Sequence, residues 1–230
     1  MPPKVAVTPK VRVLNNNETG QVFGEAIGAV TYYEWFKSQS AAKKHLQLVE
    51  FKIQGRVGLT DLEQERLDAD IRHSIILQLG YLTFVVPWER YKKLVDPKLD
   101  DAEGSTVFGL DGYSDNGGDA LKSDYPGTTI KDWSNTKLEA FWFAAKLRNA
   151  LAHGQASWVT TTTGEEIELC NITPAKVDFK IQMPVAQFVK LLVTHALVQF
   201  VGKVTAGEHY EPLYSIIAKY RLDGPIALGQ

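Results

Sequence analysis

Disulfide-forming pairs are absent from this sequence, because its 230 residues include a single cysteine, Cys170. That absence excludes an intramolecular disulfide and favours a reducing compartment. By inspection, no apolar run approaches the ~20 residues that cross a bilayer, and the first residues lead into alternating valines rather than an apolar signal core. We therefore expect a cytoplasmic protein without a membrane segment.

The charge has no dominant sign either. The sequence has 25 Lys and Arg against 27 Asp and Glu, which gives a net charge of -2. This balance provides no global attraction to nucleic acid, so any contact with RNA has to come from a local basic site. A clustered Cys/His metal set, a Walker-type phosphate loop and a nucleophile elbow are also lacking. We expect neither a metal nor a cofactor.

What is present is a pattern of long helices, with enough apolar residues (44%) to bury an ordinary core. One helix is predicted from Glu25 to about Gln54. A second begins at the capping box Thr60–Glu63 and kinks or ends near Pro87. The predicted segments are an extended N-terminal arm (1–24), a helical domain (25–205) with a flexible acidic loop (96–133) and a β-hairpin (156–182), and a short C-terminal helix with a tail (206–230).

Two of these segments carry their own signals. The acids of 96–133 do not have the spacing of a calcium loop, so a mobile, solvated loop is predicted, and its place before the next helix makes it a candidate lid. From 156 the apolar residues alternate, which predicts the hairpin and a third strand over 177–181. Pro184 then opens a helix to about Val204.

The segment from Leu138 is predicted to form a helix that ends just before Gly154, with apolar residues on two opposite faces, which predicts burial on both. One face would lie in the bundle and the other against a second copy. The first face holds Leu138, Phe141, Trp142, Ala145 and Ala152, and the second, which we expect at a dimer interface, holds Ala140, Phe143, Ala144, Leu147 and Leu151.

Several polar residues interrupt this apolar helix. Arg148 and His153 flank the first face, Asn149 lies near its centre, and Gly154 is the predicted cap of the helix. Polar groups in a buried helix lower stability unless they are paired, so their presence points to function. A plainer interpretation is that His153 favours the helix dipole and Arg148 pairs with an acid. Two other helical histidines, His73 and His195, are interpreted as packing residues.

The string Arg148-Asn149-Ala150-Leu151-Ala152-His153 resembles the Arg-x(4–6)-His signature of the HEPN superfamily, in the form where a polar residue follows the arginine. The layout of the chain is similar to HEPN members with strands inserted after the motif. The resemblance implies a mainly α fold, an antiparallel helical bundle with a β-hairpin after the motif helix. It also implies a metal-independent endoribonuclease with catalytic Arg148, His153 and Asn149, supported by Glu139 and Lys146.

Internal cleavage of RNA requires attack of a 2′-OH on phosphorus, a base that removes its proton and an acid that protonates the leaving 5′-oxygen. Histidine titrates near neutrality and suits both roles, and a guanidinium presents a fork to phosphate oxygens. One chain supplies one motif histidine, so a twofold homodimer would complete the site.

The expected substrate is RNA such as tRNA or mRNA, cut in a toxin or antiviral-defence role, with an antitoxin or regulatory partner. Two alternatives remain. One is a non-catalytic HEPN module that binds RNA or a nucleotide, and the other is a structural dimeric regulator in which the polar residues fix the register of the interface.

Overall fold

A computed structural model describes residues 11–40, 52–53, 56–57, 59–96, 107–114, 117–135, 141–172 and 177–205. The predicted C-terminal helix and tail (206–230) lie outside these residues. The helices are α1 (Asn16–Ser40), α2 (Asp61–Gly80), α3 (Val86–Val95), α4 (Asp119–Asp124), α5 (Trp142–Ala152), α6 (Val185–Leu192) and α7 (Phe200–Val204). The strands are β1 (Lys52–Ile53), β2 (Arg56–Val57), β3 (Thr129–Trp133), β4 (Ala156–Thr161), β5 (Gly164–Ile172) and β6 (Val177–Pro184).

Helix α1 starts nine residues before its predicted first residue. Asn15 is its cap: the Asn15 Oδ1 accepts from the Glu18 amide at 3.0 Å, and the Asn15 amide donates to the Glu18 carboxylate at 3.1 Å. This reciprocal pair satisfies two backbone donors at the start of the helix. The predicted arm is therefore wrong over 16–24, which are helical, and residues 11–15 before them have no regular secondary structure.

The other end of the predicted first helix also needs correction. Lys52–Ile53 and Arg56–Val57 pair as a short antiparallel ladder, with Lys52 opposite Val57. The predicted helix to Gln54 is therefore wrong at its last residues. The strand pairing at Lys52–Ile53 shows that the chain is no longer helical before Gln54.

Helices α2 and α3 form one continuous rod joined by a π-helical segment, Tyr81–Val85. The predicted capping box is confirmed, since the Thr60 side chain accepts from the Glu63 amide and the Glu63 carboxylate accepts from the Thr60 amide. Pro87 neither ends nor breaks this rod, because it lies in the first turn after the π-helical segment, where the missing N–H is tolerated.

The predicted flexible acidic loop contains regular structure. Helix α4 buries Leu121 and is followed by the buried Tyr125, and strand β3 pairs with β6 from Thr129 to Trp133. The prediction of a loop over 96–133 is therefore wrong for these segments. Asp119 and Asp124 are exposed on this segment, whereas Leu121 and Tyr125 face the core.

The predicted hairpin and third strand are present, and β3 adds a fourth strand to give the antiparallel order β3-β6-β5-β4. Alternation separates two faces of β5: Ile167 and Leu169 are fully buried, while Glu168 lies on the other face and accepts from Lys131 and Lys180. The mainly α fold with a hairpin after the motif helix is thereby confirmed.

The helical core centres on aromatic rings from four separate segments. The Phe200 ring lies 5.0 Å from Phe23, 5.3 Å from Tyr91 and 4.7 Å from Phe108 between centroids, with edge-to-face geometry in each case. Edge-to-face contacts add to the free energy of apolar burial. These rings join α1, α3 and α7 into one core.

The helical segment that begins after Pro184 is more apolar than we expected, since no stretch was predicted to be long and apolar enough to cross a bilayer. Val185–Val204, which includes a second π-helical segment at Val193–Gln199, is 20 residues long with a mean hydropathy of 1.5, enough to cross a membrane by length and composition alone. Within the protein, 61% of it is buried, as is typical of a core helix.

His195, in the second π-helical segment, is a packing residue as predicted. Its Nδ1 lies 3.0 Å from the Phe108 carbonyl oxygen and its Nε2 lies 3.0 Å from the Tyr125 hydroxyl. Burial lowers the pKa of His195 to about 4, because the charged form would lose its hydration. The same burial raises the pKa of Tyr125 to about 12.

The buried His195 predicts a pH dependence of stability. Between pH 6.5 and about 4 the unfolded chain binds a proton that the folded chain does not, so the free energy of unfolding should fall as the pH falls through this window. The loss should be on the order of 3 kcal/mol. Urea denaturation across this range measures it. His195→Gln, which cannot titrate, should show a shallower dependence, and parallel curves for the two proteins would contradict this assignment.

Candidate functional site

Helix α5, which carries the motif, is enclosed by its own chain on three sides. Trp142 contacts the rings of Trp133 and Phe179 in the sheet, and Leu151 packs against Gly80 at the end of α2. A Cβ at Gly80 would lie 2.8 Å from Leu151 Cδ2, so the absence of a side chain lets the two helices approach. The first turn of α5 is fixed by Ser114, whose hydroxyl accepts from the Phe143 amide at 3.0 Å.

This enclosure overturns the predicted dimer face. Its described members are buried in the core of the same chain: Phe143, Ala144, Leu147 and Leu151 are at most 5% exposed. A second copy has no access to them. The remaining member, Ala140, lies outside the described residues.

The accessible surface of α5 is one narrow stripe. Ala145, Arg148 and Asn149 are half-buried and Ala152 is exposed, at the i, i+3, i+4, i+7 spacing of a single helix face. Because alanine has only a methyl side chain, Arg148 and Asn149 are the residues of this stripe that can form hydrogen bonds.

The helix ends in the predicted glycine cap. The Gly154 amide donates to the Leu151 carbonyl at 3.3 Å, the Gln155 amide donates to the Ala150 carbonyl at 2.8 Å, and Gly154 has φ of +61°. This is the Schellman arrangement, in which a left-handed glycine satisfies the last carbonyl groups. His153 is the C-cap residue directly after Ala152 and is exposed to solvent.

The three predicted catalytic residues, Arg148, Asn149 and His153, therefore lie at the C-terminal end of α5. Arg148 and His153 are about 7.5 Å apart along the helix axis; Arg148 forms one edge of the accessible stripe, and His153 lies just beyond the opposite edge. The Arg148 Nη2 donates to the Asn149 Oδ1 at 3.1 Å. Since the oxygen of Asn149 is engaged in this way, its amide nitrogen is the group left to donate to a ligand.

Arg148 also has an acidic neighbour that sequence reasoning missed. Its Nη1 lies 3.8 Å from Glu89 Oε1 on α3. Fifty-nine residues separate the two positions in the sequence, and no local pattern links them. The pairing of Arg148 with an acid, which the plainer interpretation anticipated, is thus part of the structure.

The two predicted supporting residues have different outcomes. The Lys146 Nζ donates to Asp178 Oδ2 at 2.6 Å, and Asp178 Oδ1 also accepts from Asn171 Nδ2 at 3.1 Å. Both partners of the ion pair are largely buried, with side-chain exposures of 16% and 14%, so Lys146 ties α5 to β6. Glu139 lies outside the described residues.

His73 belongs to a second polar cluster, where α2 meets the hairpin. Its ring stacks on Trp158 at 4.0 Å between centroids, almost parallel, and its Nε2 lies 2.5 Å from Glu165 Oε1. Arg72 Nη1 lies 3.5 Å from the same carboxylate. The structure thus assigns His73 the packing role predicted for it, holding β4 and β5 against α2.

Comparison with known protein families identifies the family of this chain. The family model described as HEPN pEK499 p136 matches residues 31–201, which include α2, α3, the motif helix and the hairpin. The chain belongs to this HEPN family, as the motif had indicated. Membership indicates a nuclease, RNA-related or toxin module. No curated protein and no solved structure gave a significant match.

The buried ion pair at Lys146 predicts a structural effect. Lys146→Met should lower the free energy of unfolding by about 2 kcal/mol, because it leaves the Asp178 carboxylate buried without its cation. Asp178→Asn should have a similar effect, and the double variant should lose less than the sum of the two. Denaturant titration of the four proteins measures the coupling.

The matched control for this cycle is Lys131→Met, since Lys131 forms a more exposed pair with Glu168. It should cost less than about 1 kcal/mol. Equal losses for Lys146→Met and Lys131→Met would show that the burial of Lys146 is irrelevant.

Proposed function

We propose that this protein is a metal-independent endoribonuclease whose active site forms between two copies of the chain. Each copy contributes Arg148 to bind the scissile phosphate, His153 to transfer a proton and Asn149 to donate a hydrogen bond. The single observation that carries the proposal is the accessible stripe of α5. It is the one uncovered side of the enclosed part of this helix, and the three motif residues lie on it or at its edges.

The chemistry assigned to these residues is a transesterification. The 2′-oxygen attacks phosphorus as one imidazole accepts its proton, the bond to the 5′-oxygen breaks, and a second imidazole protonates that oxygen. The products are a 2′,3′-cyclic phosphate and a 5′-hydroxyl. Negative charge increases on the phosphate oxygens in the transition state, where a guanidinium stabilises it through paired hydrogen bonds.

The need for two imidazoles is the reason for a dimer. In a twofold arrangement the same stripe faces itself, which brings two copies of His153 to one cleft. Ala145 and Ala152 support this geometry, because helices with small side chains at their contact can approach closely. The expected interface is thus the accessible stripe rather than the buried face.

The biological setting extends this proposal. We infer that the substrate is single-stranded or looped RNA, such as tRNA or mRNA, and that cleavage serves a toxin or antiviral-defence role in the cytoplasm. A partner such as an antitoxin would restrain it. A net charge of -2 supports recognition by a local site rather than by general attraction to RNA.

The direct test is RNA cleavage in the presence of EDTA. Wild type should cut a mixed RNA pool and leave 2′,3′-cyclic phosphate ends, whereas Arg148→Ala and His153→Ala should remain folded and lose at least 100-fold in rate, roughly the contribution of one acid–base group. Arg66→Ala is the control, since Arg66 is an exposed arginine on α2. It should cut like wild type.

Two results would contradict the enzyme hypothesis. If wild type binds RNA without cutting any of the pool, the protein is a binding module. If Arg148→Ala is folded but monomeric and wild type shows no RNA-dependent behaviour, the motif serves the interface.

Mixing subunits tests whether both copies of His153 serve one cleft. At equal amounts of wild type and His153→Ala, random exchange should leave about one quarter of the dimers with two histidines, so activity should fall to about one quarter. Independent sites would retain about one half. The assay is the cleavage rate after co-refolding, with the Arg66→Ala protein as the mixing control.

A further inference from the structure

Glu89 is the acidic residue next to the motif arginine, Arg148, and it bears on how a ligand would bind there. Arg148 lies between two oxygens from the described part of the chain, the Asn149 amide oxygen at 3.1 Å on its own helix and the Glu89 carboxylate oxygen at 3.8 Å on α3. The Arg148 side chain is 23% exposed and that of Glu89 is 45% exposed. The guanidinium is therefore accessible to a ligand, and so is the carboxylate next to it.

The contact between Arg148 and Glu89 is weak enough for a phosphate to replace the Glu89 carboxylate beside Arg148. The distance of 3.8 Å between Arg148 Nη1 and Glu89 Oε1 is near the outer limit of an ion pair and longer than a hydrogen bond. Half-exposed pairs of this kind contribute little to stability. A phosphate can engage the guanidinium through two short hydrogen bonds and can take its place beside the cation.

Glu89 stays near the phosphate after such an exchange, because α3 is fixed in the core through Trp88 and Tyr91, each 1% exposed. Its negative charge would then repel the phosphate. For two unit charges about 6 Å apart in water, Coulomb's law gives a penalty that corresponds to roughly a threefold loss of affinity.

We propose that Glu89 sets the RNA affinity of the site by competing with phosphate for Arg148. This inference rests on the proposed function, because it takes Arg148 to be the phosphate-binding group. Glu89 acts on binding rather than on proton transfer, so its removal changes KM and leaves kcat unchanged.

The experiment compares Glu89→Gln with a matched control, Glu25→Gln. Glu25 is 48% exposed and pairs with Arg90, the residue that follows Glu89 on α3. Both variants remove one negative charge from an exposed ion pair, but only the first removes a neighbour of Arg148. Cleavage gives KM and kcat, and binding to 2′-O-methyl RNA, which cannot be cut, gives Kd.

We expect Glu89→Gln to lower KM and Kd roughly threefold, with kcat unchanged, and Glu25→Gln to leave all three as in wild type. Raising the ionic strength should narrow the difference, since salt screens exposed charges. Equal behaviour of the two variants would overturn the inference, as would a lower kcat for Glu89→Gln with KM unchanged, which would make Glu89 a positioning residue for Arg148.

The failure of this inference can be told apart from failure of the proposed function. If wild type cuts RNA and Arg148→Ala does not, the proposed function stands whatever Glu89→Gln does. If wild type does not cut RNA, the reaction is wrong and the Kd values alone decide the role of Glu89. In that case a Kd unchanged by Glu89→Gln overturns the inference.

Discussion

The enclosure of helix α5 is the constraint on which the rest of the site depends. The sheet covers one side through Trp142, the rod of α2 and α3 covers another through the contact of Gly80 with Leu151, and Ser114 holds the first turn. A helix held on three sides has little freedom to shift or rotate. Its accessible stripe therefore presents side chains in fixed positions, as the proposed phosphate chemistry would require.

Each of the two cationic side chains on α5 has a carboxylate next to it. Lys146 is neutralised by a buried carboxylate, and Arg148 lies beside a half-exposed one. The first pair holds the helix to the sheet and is largely buried. The second pair is longer, at 3.8 Å, and more exposed, so it contributes less to stability. The same helix thus carries one cation in a largely buried ion pair and one in a more exposed pair.

Local signals in the sequence predicted much of this arrangement. The capping box at Thr60, the glycine after the motif helix and the alternating residues of the hairpin each depend on neighbours within a few positions, and each is present in the structure. The cap at Asn15 was a comparable signal, because Asn15 and Glu18 have capping-box spacing. It was missed because a run of asparagines is also typical of turns.

Long-range pairing explains what could not be predicted. The apolar pattern of α5 predicts two covered faces but does not say by what. The chain itself buries the face with Phe143 and Leu147, whereas Ala145 and Ala152 of the other face lie on the accessible stripe, so the prediction of burial is wrong for them. Glu89 and Asp178 lie far from Arg148 and Lys146 in the sequence, so their charges gave no sign of their partners. Strand β3 depends on pairing with β6, which comes about 50 residues later.

The hydrogen bonds of Gln155 determine which part of the hairpin can change in length. Its backbone amide caps α5, its carbonyl accepts from the Cys170 amide at 3.0 Å, and its side-chain oxygen accepts from the Ile172 amide at 3.1 Å. The base of the hairpin is thereby fixed to the end of the motif helix, while its turn at Thr162–Thr163 lies about 20 Å away along β4. Residues can be added or removed at that turn without displacing His153, so the hairpin is a part of the protein that evolution or an engineer can resize independently of the motif.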